Sequence, residues 1–210
     1  MFVAEKEIGY DLEIQENMSI EELRKRYWEG IIIWLNASGT SPDGKPGEYR
    51  CAMDFHGKVK YLEKELPGAT ANQAMIHGAI DAVACIQKPV RVFICSPVAL
   101  GYESAFKGKG VNSGLMQELF KLLLKKGCQV TEVQFIGGAD LIKKFVLSCN
   151  PDHTKLDRAI QKEQQGRDYY RAKIYGECME KVVAVLRKNH IDEAIIREVM
   201  QIDPSDGGLG

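Results

Sequence analysis

Residues 30–150 predict an α/β domain, a five-stranded mixed sheet with flanking helices, and residues 151–210 predict a helical extension. Three observations carry this. The run Ile31–Leu35 is short, continuous and β-branched, as a strand buried on both faces must be. Two further strand patterns follow, joined by the tight turn His56-Gly57. Helical and strand periods then alternate up to Asn150, after which strand signals stop.

The elements follow in order. Residues 1–29 form an N-terminal segment in which residues 1–18 show no strong period. Ser19 followed three positions later by Glu22 is a capping box that opens a short helix, ended by Gly30. After the first strand comes a loop rich in Gly, Ser, Asp and Pro (38–47), then strands over 48–55 and 58–65. Pro67-Gly68 closes the third strand, and Met75, Ala79, Val83 and Ile86 recur at helical spacing over 70–87. Lys88-Pro89 stops that helix before a fourth strand, Val90–Cys95. A Gly/Lys loop, Lys107–Gly110, leads to a helix begun near Asn112 and ended at Gly127. Gln129–Ile136 is the fifth strand, and Gly137-Gly138 turns into a last short helix. A helix between strands four and five requires that these two be parallel. In the extension, Ile160, Tyr170, Ile174, Cys178, Val182 and Leu186 recur at helical intervals, a shorter helix spans 192–200, and a Gly-rich disordered tail is expected at the end.

Composition narrows the function classes. Hydrophobic residues make up 45% of the 210 and charged residues 27%, a globular mixture. The net charge of −1 means that a polyanion would have to be held by a local basic patch. The six cysteines contain no CxxC pair and several lie in apolar runs, which points to buried free thiols in a reducing cytoplasm. The start is too acidic for a signal peptide, and no apolar run approaches a membrane span, so a cytoplasmic protein without membrane contact is expected.

The order of elements and several local runs resemble the ribonuclease H family over about 120 residues. The runs are WLNASG, SPDGKPGEYRCAM, ATANQAMIHGAIDAVACI, VFICSPVAL, VNSGLMQELFKLLLKKG and GGADLIKKF. The resemblance implies a strand order of 3-2-1-4-5, and a site in which four carboxylates hold two divalent metals for phosphodiester hydrolysis. In this sequence those four positions fall on Asn36, Met75, Cys95 and Asp140. Methionine and cysteine are soft ligands that a hard cation avoids, and one carboxylate cannot concentrate two dications. The loop that carries a histidine in the family is shortened to Ile136-Gly137-Gly138. The resemblance therefore implies a degenerate active site, no catalytic residue and no metal cofactor.

Other carboxylates offer little replacement. Asp81 lies about 240° round its helix from Met75, and Asp43 and Glu48 sit on a loop and a strand edge. Asp140 itself also suits a helix N-terminus, and His77 faces away from Met75, which argues against a Cys95–His77 nucleophile pair. Thr70, Asn72 and Gln73 match the family's hybrid-contacting polar segment, and they equally match a capped helix start. Lys107 and Lys109 can contact a phosphate or simply solvate a loop. Tyr169, Tyr170, Arg167, Arg171 and Lys173 suit either nucleic acid or a helix-packing or dimer face.

Two functions are expected from different classes. One is a non-catalytic ribonuclease H-like module, a pseudoenzyme that binds a protein partner or nucleic acid and forms a homodimer through its C-terminal helices. The other is a divergent nuclease that uses Mg²⁺ to cleave the RNA strand of RNA–DNA hybrids.

Overall fold

The computed structural model describes residues 3–200 and divides the chain into two compact units, residues 1–156 and 157–210. The first unit is a six-stranded mixed sheet with helices on both faces. Its elements are β1 (Asp11–Glu16), α1 (Ile20–Arg26), β2 (Ile31–Ser38), β3 (Gly47–Phe55), β4 (Lys58–Leu66), α2 (Ala71–Ala84), β5 (Arg91–Ser96), α3 (Tyr102–Phe106), α4 (Ser113–Lys126), β6 (Gln129–Ile136) and α5 (Ala139–Ser148). The strands lie in the order β1-β6-β5-β2-β3-β4. Strands β2, β5, β6 and β1 run parallel, while β3 and β4 are antiparallel additions.

The five expected strands are β2 to β6, in the expected relative order, with the first of them in the interior of the sheet. The count of five is corrected to six. Strand β1 lies in the segment that shows no strong period, and the cause is its position. An edge strand is held by backbone pairing and tolerates polar side chains. Ile14 of β1 is 57% exposed, whereas its Gln15 is buried and donates to the Tyr27 hydroxyl at 3.0 Å. The same hydroxyl donates to Glu13 at 2.9 Å, so polar contacts between β1 and the end of α1 replace an apolar face. The short helix α3 is a further addition to the expected elements; it lies in the loop before α4.

The continuous apolar run of β2 serves two cores, because successive side chains leave a strand on opposite faces. Ile33 and Leu35 join Met75, Ile76 and Ala79 of α2 and Leu119, Phe120 and Leu123 of α4. Ile32 and Trp34 join Leu23 and Tyr27 of α1 and Ile142 and Val146 of α5. Each such side chain, fully buried, stabilises by about 1.5–3 kcal/mol. Ser19 and Glu22 form the expected capping box of α1. At the β3–β4 turn, His56 (φ 52°) and Gly57 (φ 82°) both adopt left-handed conformations, as a two-residue hairpin loop needs.

Helix α6 (Thr154–Lys188) and α7 (Glu193–Met200) make up most of the described part of the second unit. Tyr170, Ile174 and Val182, expected to pack against the first domain or a second copy, are 63%, 59% and 42% exposed within the single chain. Val183 and Ile196 are buried within the chain. The expected disordered tail, 201–210, lies outside the described residues. Among the described residues no helix is long and apolar enough to cross a membrane.

Candidate functional site

The carboxyl ends of the parallel strands β2, β5 and β6 face the same end of the sheet, where open α/β folds place their sites. The pleat divides the four positions that the resemblance singles out. Cys95 belongs to the core under α1 and α5, and Asn36, two residues beyond Trp34, lies on that face too. Asp140 is exposed in the first turn of α5. Met75 is buried in the core on the other face, beneath α2. Met75 and Cys95 therefore lie in different cores on opposite faces of the sheet, against the convergence that the resemblance implies.

The residue of β5 that shares the α2 face is Ser96, fully buried, with its hydroxyl donating to the Val98 carbonyl at 2.7 Å. Burial pushes the Cys95 thiol well above its ordinary value, so it carries no thiolate to bind a metal or attack a substrate. The sheet separates it from His77 on α2. The remaining acids are engaged structurally. Asp81 accepts from the Tyr49 hydroxyl at 2.5 Å and pairs with Lys64 at 3.4 Å. Asp43 accepts from Ser41 in its own loop, and Glu48 pairs with Arg50. Among the described residues, no three His, Cys, Asp or Glu side chains are grouped to hold a metal ion.

The polar segment before Met75 separates into two roles. Thr70 caps α2 by accepting the Gln73 N–H at 3.3 Å, and the Gln73 side chain accepts the Thr70 N–H at 2.9 Å. Both side chains are thus committed to the helix start. Gly39 lets the β2–β3 loop pass close by: a Cβ there would lie 3.0 Å from the Ala71 nitrogen. Asn72 is exposed and lines a groove of about 200 Å³ together with Ser104, Lys109, Val111, Asn112 and Ser113. Lys107 lines a different hollow, with Glu5, Glu103 and Phe106. The groove also receives the start of α4, where the N-cap Asn112 makes no side-chain capping hydrogen bond. The positive end of a 14-residue helix and Lys109 therefore border the same groove as Asn72.

Two buried acids escaped the sequence reading. Glu132 of β6 is 2% exposed and accepts from the Leu100 N–H at 3.0 Å and the Tyr10 hydroxyl at 2.9 Å. Burial raises its carboxyl above the usual glutamate range. It ties down the loop after β5, which forms one wall of the groove. Asp54 of β3 is 3% exposed and pairs with Arg24 Nε at 2.5 Å while accepting the Gly57 N–H at 3.0 Å. The sequence held no signal for Glu132, because the expected order leaves its strand at the edge of the sheet and only the unexpected β1 makes it interior.

Compared with known proteins, the chain matches no family model and no curated sequence.

Proposed function

We propose that the first unit is a non-catalytic ribonuclease H-like module that binds the sugar-phosphate backbone of a nucleic acid along the groove between the starts of α2 and α4. The observation that carries this reading is the meeting of Asn72 and Lys109 in one groove with the uncapped N-terminus of α4. Backbone N–H groups at a helix start and a lysine attract a phosphate without reading sequence, and an amide adds a hydrogen bond to phosphate or sugar. The strand order, with two antiparallel additions on a parallel core and α5 returning over the other face, supports the ribonuclease H-like part of the reading. The loss of catalysis follows from the residue chemistry: one carboxylate, one amide, a thioether and a neutral buried thiol do not repay the dehydration of two dications.

The test is fluorescence anisotropy with a labelled RNA–DNA hybrid and matched single strands, at about 50 and 200 mM salt. Binding that weakens with salt is expected. Lys109→Ala should lower the salt slope by about one, Asn72→Ala should weaken binding several-fold, and Lys107→Ala should leave both unchanged. No binding at the lower salt overturns the reading and leaves a protein partner in its place. Hybrid cleavage that disappears in Asp140→Asn would instead favour a divergent Mg²⁺-dependent nuclease.

A further inference from the structure

The charges of helix α6 are not spread evenly round it. At 100° per residue, Arg158, Lys162, Tyr169 and Lys173 fall within an arc of about 60°, in a line about 22 Å long. All four are exposed, Tyr169 by 64%. Between Arg158 and Gly176, widening the arc to about 120° adds Gln165, Gly166, Ala172 and Gly176, and no carboxylate. The flanking acids Asp168 and Glu163 lie about 80° outside the narrower arc on either side. Glu177 and Glu180 end the stripe one and two turns past Lys173. Arg167 and Arg187 are paired with Glu163 and Glu193, whereas Arg158, Lys162 and Lys173 have no ion-pair partner among the described residues. Of the aromatic and basic residues that the sequence groups in this region, Tyr169 and Lys173 share the face; Arg167, Tyr170 and Arg171 lie about 60° or more outside it.

We infer that this face is a second nucleic-acid contact, in the other unit of the chain, and that it takes a single strand. Charge complementarity selects the occupant: a row of unanswered cations without an acid fits a polyanion. Tyr169, set among the cations, offers a ring on which an unpaired base stacks, the combination that single-strand sites use. A protein surface or a bilayer would call for aliphatic anchors, and the arc holds no Leu, Ile, Val or Met. Glycine inside a helix is destabilising relative to alanine, yet Gly166 and Gly176 both lie here, and a Cβ at either would meet nothing within 4 Å. With no side chain at these two positions, a phosphate backbone can come close to the helix between the lysines.

The experiment uses the full chain in an Asn72→Ala/Lys109→Ala background, so that the groove of the first unit does not contribute. Anisotropy of a labelled oligothymidylate is followed between about 50 and 200 mM salt. The triple variant Arg158→Gln/Lys162→Gln/Lys173→Gln should lower the salt slope by about two. The charge-matched triple Arg167→Gln/Arg171→Gln/Lys181→Gln should leave it unchanged. Tyr169→Ala should weaken binding about tenfold, and Tyr169→Phe should bind like the background. Circular dichroism checks that each variant keeps its helix content. No binding in this background, or an equal fall in slope in both triples, overturns the proposal. Tyr169→Phe as weak as Tyr169→Ala overturns the stacking, and tighter binding to phosphatidylserine vesicles than to the oligonucleotide overturns the choice of partner. The groove reading stands or falls separately, on whether the Asn72→Ala/Lys109→Ala background itself binds less than the parent.

Discussion

The carboxylate of Glu132, inside the sheet, accepts the backbone N–H of Leu100 at 3.0 Å and thereby holds the loop after β5 against the end of β6. The Tyr10 hydroxyl donates to the same carboxylate at 2.9 Å, so one buried acid joins the N-terminal segment, the central strands and a groove wall. Burial raises this carboxyl above its ordinary range. Between the value of an unfolded glutamate, about 4.3, and that raised value, the folded protein binds more protons than the unfolded one. The contribution of Glu132 is therefore full below about pH 4.3 and declines as pH rises through the window. Glu132→Gln keeps an acceptor for Leu100 but does not titrate. Urea unfolding at a series of pH values should show the variant gaining stability relative to the parent as pH rises; parallel profiles would refute this.

The Asp54–Arg24 pair ties the β3–β4 turn to α1. With Asp54 3% and Arg24 30% exposed, the pair is only partly screened, and Asp54→Ala also removes the acceptor of the Gly57 N–H. Loss of about 1–3 kcal/mol is expected by denaturant titration, discounted from a fully buried pair for the exposure of Arg24. A cost below about 0.5 kcal/mol would show that the pair behaves as an ordinary surface contact.

Rebuilding the acidic site should fail. In the triple variant Asn36→Asp, Met75→Glu, Cys95→Asp, the carboxylates introduced at positions 75 and 95 would lie in different cores on opposite faces of the sheet. Calorimetric titration with Mg²⁺ or Mn²⁺ should show no gain in affinity. Thermal unfolding should show a loss of several kcal/mol from burying unpaired polar groups. Millimolar or tighter metal binding by the variant would mean that the two faces communicate in a way the sheet does not permit.

Replacing Gly39 by Val should disturb the groove without touching it. A side chain there meets the backbone of Ala71 and Thr70 at 3.0–3.4 Å, so the start of α2 has to shift and carry Asn72 with it. Nucleic-acid affinity is expected to fall several-fold with little change in the salt slope, because no cation is lost. An unchanged affinity would place Asn72 outside the contact.

The sequence by itself determined the elements that depend on local chemistry. Ser19 with Glu22 and Thr70 with Gln73 announce helix starts through their own hydrogen bonds, and His56-Gly57 announces a hairpin through its backbone. The apolar run Ile31–Leu35 announces a strand covered on both faces, because burial leaves a record in residue type. Tertiary structure alone decided the rest. Strand β1 was silent because an edge is held by backbone pairing and polar contacts to Tyr27, which leave no period in the sequence. The exposure of Asn72 beside the committed Thr70 and Gln73, and the separate hollows that Lys109 and Lys107 line, depend on which side chains the helix starts consume and where the loop between β5 and α4 is pinned. Whether Met75 and Cys95 could ever share a metal was set by the pleat: a strand sends alternate side chains to opposite faces, and one residue of register decides the face.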